Sequence, residues 1–247
     1  MRSVPSVLKV LGIDDLRSVQ KARPMPIFTS QQCMNRLEHV FPYLMPRADK
    51  NRNPRLFVAS LDWRVLEGLR LDDADFADTE DVPDIADSSS SLKLILDSAT
   101  TAPEIAPRHC TFSPVEGLEV EAFAVEHGPR YLSLGFSFGP SDAKFVYISD
   151  VSRVPAYAME VLQAYDEIAT LVVDCLDPGD SGFTYPTHFS LPQALELVRA
   201  LRPQKTLLIG MTHAFEHFTG NARLAKLLDE EGLDVQLAYD GQCVNVI

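Results

Sequence analysis

Three residues with metal-ligating side chains stand where apolar runs stop. His127 closes Ala124-Val125-Glu126-His127, Asp150 closes Phe145-Val146-Tyr147-Ile148-Ser149-Asp150, and His213 follows Leu207-Leu208-Ile209-Gly210-Met211-Thr212. Imidazole nitrogen together with carboxylate oxygen suits zinc, manganese or iron. The ends of strands in an open α/β sheet direct side chains into one crevice. Singly, each residue reads more readily as a cap or a satisfied polar group; their shared position is what points to a metal. His188, in Tyr185-Pro186-Thr187-His188-Phe189-Ser190, precedes a helix start, where anions are favoured. An imidazole there could protonate a leaving group, or it could simply close the loop. His39 and His109 read as surface residues.

A competing pattern overlaps the third candidate. His213-Ala214-Phe215-Glu216-His217 has the His-x-x-Glu-His spacing of inverted zinc peptidases, in which Glu216 would be the general base. On a helix both imidazoles would share a face. A third ligand must follow, and only one more helix and a short hairpin remain to supply it.

The elements that must position these residues follow from periodicity. Pro26–Thr29 reads as a strand, and Ser30 as the N-cap of a helix with Met34, Leu37, Val40 and Phe41 on its apolar face. Leu118–Val125 reads as a strand. Tyr131–Phe138 alternates, with Leu132, Leu134, Phe136 and Phe138 on one side. Gly139-Pro140-Ser141-Asp142 turns the chain into a strand over Lys144–Ser149, a helix follows Pro155, and Leu171–Val173 is buried strand. Ser190-Leu191-Pro192-Gln193 has capping-box spacing ahead of a helical stripe of Leu191, Ala194, Leu195, Val198 and Leu201. Lys205–Ile209 is a strand, Asn221–Glu231 a helix closed by Gly232, and Asp234–Tyr239 is expected to pair with Cys243–Ile247 through an Asp240-Gly241 turn. Hairpins early and strand–helix alternation later predict a layered α/β architecture.

Between these elements, Leu71–Cys110 begins with a run rich in Asp and Glu and reaches four serines, Ser88–Ser91. Its composition predicts an acidic, mostly disordered insertion within one domain spanning residues 1–247, and the first site of limited proteolysis. The formal net charge of -13 argues against binding a nucleic-acid backbone, which calls for a basic surface, but allows a small anionic substrate. Four scattered cysteines without a Cys-x-x-Cys pair read as reduced thiols, pointing to the cytoplasm. No apolar run has the length of a membrane span, and the opening residues lack signal-peptide form.

The ordered series His127-Gly128, Tyr147-Ile148-Ser149-Asp150, Asp174, Thr187-His188-Phe189-Ser190, Gly210-Met211-Thr212-His213 and Tyr239-Asp240-Gly241 resembles the metallo-β-lactamase superfamily. It is most similar to the phosphodiesterase branch that includes the cyclic-phosphate phosphodiesterase of phosphonate breakdown. Gly12-Ile13-Asp14-Asp15-Leu16-Arg17 and Phe41-Pro42-Tyr43-Leu44 match that branch as well. The resemblance implies a four-layer αββα sandwich and a metal-dependent hydrolase of small phosphodiesters using two divalent metals, zinc or manganese. His127 would bind one metal, His213 the other, Asp150 would bridge them, and His188 would donate a proton or contact phosphate. The family's His-x-His-x-Asp-His motif is replaced here by Val4-Pro5-Ser6-Val7-Leu8-Lys9, so the site and the sandwich are expected to be N-terminally incomplete. With about two protein ligands per metal, against the usual three or more, weak metal binding and negligible turnover are expected. A non-catalytic binding protein on the same fold is the alternative. An uncovered sheet edge would favour association into a homo-oligomer.

Overall fold

The computed structural model describes residues 24–45, 61–67, 69, 109–129, 131–180, 182 and 184–245. These fall into two compact units, Met1–Val65 and Leu66–Ile247. Most of the expected acidic insertion, residues 71–108, lies outside the described residues, as do Val4–Lys9.

In the first unit, β1 (Met25–Thr29) pairs in parallel with β2 (Leu61–Val65). Helix α1 (Gln31–Val40) lies between them in sequence. As expected, Ser30 caps α1, its hydroxyl accepting from Cys33 N at 3.2 Å. A short 3-10 turn, Pro42–Leu44, ends in a carbonyl that accepts from the Trp63 indole at 3.1 Å, tying the helix exit to β2.

The second unit is built on seven strands in the order β3-β4-β5-β6-β7-β8-β9. Strands β3 (His109–Val115), β4 (Leu118–Glu126), β5 (Leu132–Phe138) and β6 (Lys144–Ile148) form an antiparallel meander. From β6 onward the pairing is parallel through β7 (Ile168–Asp174), β8 (Lys205–Ile209) and β9 (Val235–Leu237). The parallel strands are linked by α2 (Ala156–Gln163), α3 (Leu191–Leu201) and α4 (His217–Glu231). Parallel strands require such crossovers, and their carboxyl ends then share one edge of the sheet.

One face of this sheet makes the core. Phe123, Val125, Val146, Ile148, Leu171, Val173, Leu208 and Leu237 join Ala158 and Leu162 of α2, Ala194 and Val198 of α3, and Leu224 of α4 in one buried cluster. The other face carries aromatic side chains, with Phe138 stacked on Phe145 at 4.8 Å and Phe112 edge-on to Phe136 at 6.5 Å.

Three expectations change. In β5 the alternation is present, but the buried side is Gly135 and Ser137, while Leu132, Leu134, Phe136 and Phe138 are half-buried. The reason is packing across the strands: a Cβ on Gly135 would collide with the buried Phe123 ring, and Ser137 hydrogen-bonds Tyr165 at 2.7 Å. At the C-terminus, β9 pairs with β8, and among the described residues it has no partner in the expected Cys243–Ile247 strand, whose last two residues lie outside them. The Tyr239–Gln242 turn forms, with Gln242 N donating to Tyr239 O at 3.1 Å, but residues 242–245 are not strand. Finally, His109 and Cys110 belong to β3 rather than to the insertion, because Cys110 and Phe112 pair opposite Ala122 and Val120.

Candidate metal centre

The site forms at the edge where β4 and the parallel strands end. His127 follows β4, Asp150 follows β6, and Asp174 is the last residue of β7. His188 is brought there by the loop ahead of α3. Leu176 N donates to Phe189 O and Leu191 N to Asp177 O, each at 2.8 Å, so residues 189–191 run along the extension of β7. Gln193 Oε1 accepts from both the backbone amide and the hydroxyl of Ser190 at 2.9 Å, which fixes the α3 entry two residues beyond His188.

Each loop is locked from behind. Glu126 bridges to Arg153 through its backbone and pairs with the Arg153 guanidinium, and Ser152 N donates to Glu126 O at 2.7 Å. The β6 exit is thereby clamped to the β4 exit. Gly128 N donates to Ser152 Oγ at 2.8 Å, and a Cβ on Gly128 would lie 2.8 Å from Thr187 Cγ2, so glycine permits the His127 and His188 loops to meet. Asp150 has a left-handed backbone, φ 53, held by the Ser133 hydroxyl donating to its carbonyl at 2.6 Å. Asp tolerates that region better than most residues.

His127, Asp150 and His188 offer ligand atoms that all lie within 4.8 Å of one another. The two rings meet edge-to-face at 4.9 Å. His127 Nδ1 lies 2.7 Å from Thr187 O. A carbonyl can only accept, so Nδ1 carries the proton, and in the neutral ring the Nε2 lone pair is left for a cation. His188 Nδ1 lies 2.7 Å from Asp174 Oδ2, and that carboxylate holds the same tautomer in the second ring. Imidazoles anchored this way through one nitrogen are the usual arrangement behind a metal.

Asp174 is 2% exposed. Burial pushes its carboxyl pKa up, while the His188 hydrogen bond opposes the shift and the Asp150 charge adds to it. Its position depends on Gly210, φ 78, just beyond β8, where a Cβ would lie 2.6 Å from Asp174 Oδ1. Two imidazoles and one carboxylate, with a second carboxylate behind, make a donor set that fits a divalent cation.

Of the four residues singled out from sequence, the structure brings His127, Asp150 and His188 together. His213 is exposed on the loop between β8 and α4 and lies outside this cluster. Sequence reasoning did not assign Asp174 a role behind His188. The available signal was an acidic residue ending the apolar run Leu171-Val172-Val173.

The inverted peptidase arrangement does not form. His213 and Glu216 precede α4, and Glu216 is its N-cap, accepting from Phe218 N at 3.2 Å and Thr219 N at 2.7 Å. His217 Nε2 faces the Ala238 carbonyl at 3.3 Å and its Nδ1 faces Asn221 Nδ2 at 3.4 Å. A helix N-terminus attracts a carboxylate cap, which here takes the general base out of service.

The chain belongs to the β-lactamase superfamily: residues 76–211, more than half of it, match that superfamily's domain. Its fold is of the metallo-β-lactamase type. Among solved structures it is similar to a diphosphatase from the PhnP family, with 18% identity and a TM-score of 0.57 over 96% of this chain. The chain spans 63% of the length of that diphosphatase. It is also similar to the short form of human tRNase Z, with 15% identity and a TM-score of 0.51 over 99% of this chain and 73% of that one. The metallo-β-lactamase fold protein YhfI from Bacillus subtilis matches at 11% identity and a TM-score of 0.50, over 96% of this chain and 67% of its own. No curated protein matches the sequence.

Proposed function

We propose that the protein is a metal-dependent hydrolase acting on small phosphodiesters, with a divalent cation, zinc or manganese, held by His127, Asp150 and His188. The observation that carries this is the convergence of those three side chains with both Nδ1 atoms tied back, to Thr187 O and to Asp174. Three protein donors are the number typical of a catalytic zinc site. A cation bound there would supply Lewis acidity toward a phosphoryl oxygen. The chain's own residues present the ligand atoms in fixed tautomers, and Asp150 brings the negative charge that keeps a cation in place. His213, exposed on the neighbouring loop, is available as a contact for phosphate or for a second cation.

The phosphodiester assignment rests on the motif resemblance, and it accords with relatives named as a diphosphatase and a tRNase. The net charge of -13 favours a small substrate over a long polyanion.

Isothermal titration of the full chain with zinc and with manganese, followed by a bis(p-nitrophenyl) phosphate assay, tests the reading. Two protein ligands per metal lead to an expectation of weak binding and negligible turnover; three converging donors replace it, so metal binding lost in His127→Ala, with turnover in the loaded protein, is the expected result. Binding without turnover of any phosphodiester would assign the fold to ligand binding rather than catalysis. Absence of metal binding would overturn the site.

A further inference from the structure

His127 is bracketed in the chain by two residues that are held to the same short segment. Before it, Glu126 N donates to Arg153 O at 3.0 Å and Arg153 N donates to Glu126 O at 3.4 Å. Ser152 N donates to the same Glu126 carbonyl at 2.7 Å. After it, Gly128 N donates to Ser152 Oγ at 2.8 Å, and that hydroxyl donates on to Glu126 O at 3.3 Å. Beside this backbone seam the Arg153 guanidinium holds the Glu126 carboxylate at two points, Nε to Oε2 at 2.7 Å and Nη2 to Oε1. The seam begins two residues after Asp150, whose own carbonyl is held by the Ser133 hydroxyl. One candidate ligand therefore sits within the seam and another at its entrance.

The ion pair contributes little to stability where it stands. The Arg153 side chain is 41% exposed and that of Glu126 23%, and pairs open to solvent are weak and screened. What the forked contact does supply is orientation, because groups joined at two points cannot swivel about a single bond. Turning Glu126 turns the backbone that carries His127, and shifting Arg153 shifts the β6 exit that carries Asp150. We propose that Glu126 and Arg153 are positioning residues of the metal centre. They set the separation of the His127 and Asp150 ligand atoms, and through it the affinity and coordination geometry of the cation. Neither belongs to the ligand cluster itself, and the role rests on the metal reading above. A purely electrostatic role would carry a different signature. Removing the guanidinium would leave an extra negative charge and tighten cation binding, whereas removing the carboxylate charge would loosen it. Positioning requires that both losses loosen it.

The test measures zinc affinity of the full chain by competition with a chromophoric chelator. Beside it, the visible spectrum of the cobalt-loaded protein reports ligand number and geometry. Arg153→Ala and Glu126→Gln should each weaken zinc binding about tenfold or more and alter the cobalt bands at saturating metal. Arg153→Lys keeps the charge and loses the fork, so it should weaken zinc less than Arg153→Ala and still alter the bands. Circular dichroism of the metal-free variants should match the unsubstituted chain; should Arg153→Ala fail to fold, Arg153→Lys and Glu126→Gln decide. Tighter zinc binding in Arg153→Ala, or affinity and cobalt bands unchanged in Arg153→Lys and Glu126→Gln, would overturn the positioning role and leave the metal centre standing. A fall in affinity with the cobalt bands unchanged would assign the pair to general stability and overturn the role as well. If the unsubstituted chain binds neither metal, the metal centre falls and this role falls with it.

Discussion

At the scale of single residues, the two histidines of the cluster differ in what stands behind them. His127 leans on a neutral carbonyl and His188 on a buried carboxylate. Asp174→Asn keeps the size but removes the charge that strengthens His188 as a donor. Zinc affinity should fall about 10- to 100-fold, as read by competition with a chromophoric chelator. An unchanged affinity would show that His188 does not ligate. His188→Ala separates its two possible duties. As a ligand, its loss lowers zinc affinity. As a proton donor, its loss leaves zinc bound and slows esters with poor leaving groups by roughly a hundredfold or more, sparing nitrophenyl esters. The close contact at Gly210 makes a related point, because Gly210→Ala would push against Asp174 Oδ1 and so act on His188 from one loop away.

At the scale of elements, α3 and the β4–β5 pair carry the burden of placement. Gln193 alone ties down the Ser190 amide and hydroxyl, so Gln193→Ala should destabilise the protein by about 1 kcal/mol. Because the α3 entry sits next to His188, hydrogen exchange around residues 187–191 should also quicken. In the sheet, Gly135 is the flat surface on which the Phe123 ring lies. Gly135→Ala should cost about 1–3 kcal/mol through overpacking, measured as a shift in the urea midpoint with the slope unchanged. A neutral result would mean that Phe123 can move aside in a core that the structure presents as closed.

For the whole molecule, the cation and the net charge set the behaviour. If His127, Asp150 and His188 form only in the folded chain, zinc at a hundredfold excess over its dissociation constant should raise unfolding free energy by about 2.7 kcal/mol. The increase should vanish in His127→Ala, and differential scanning calorimetry measures both. With 35 acidic against 22 basic residues, the molecule should leave the mobility of tRNA unchanged in a native gel at physiological salt. Retardation that weakens steeply with added salt would reveal a basic surface that the summed charge conceals, and would redirect the substrate class toward RNA.

The sequence by itself determined the local events. Ser190 and Gln193 announce the α3 start, Gly232 the α4 end, and apolar runs stopping at His127 and Asp150 mark strand ends, because caps and periodicity act over a few neighbouring residues. It also placed the chain in its superfamily through the order of those strand-end residues. Tertiary structure decided which of them meet. His188 joins His127 and Asp150 because backbone pairing along residues 176–177 and 189–191 folds its loop over β7, and no local pattern encodes that approach. Asp174 gained its role for the same reason, lying 14 residues before His188 yet 2.7 Å from it. The reversal of burial in β5 is likewise nonlocal. Alternation identifies two faces of a strand, but only the neighbouring Phe123 and Tyr165 make the small-residue face the closed one.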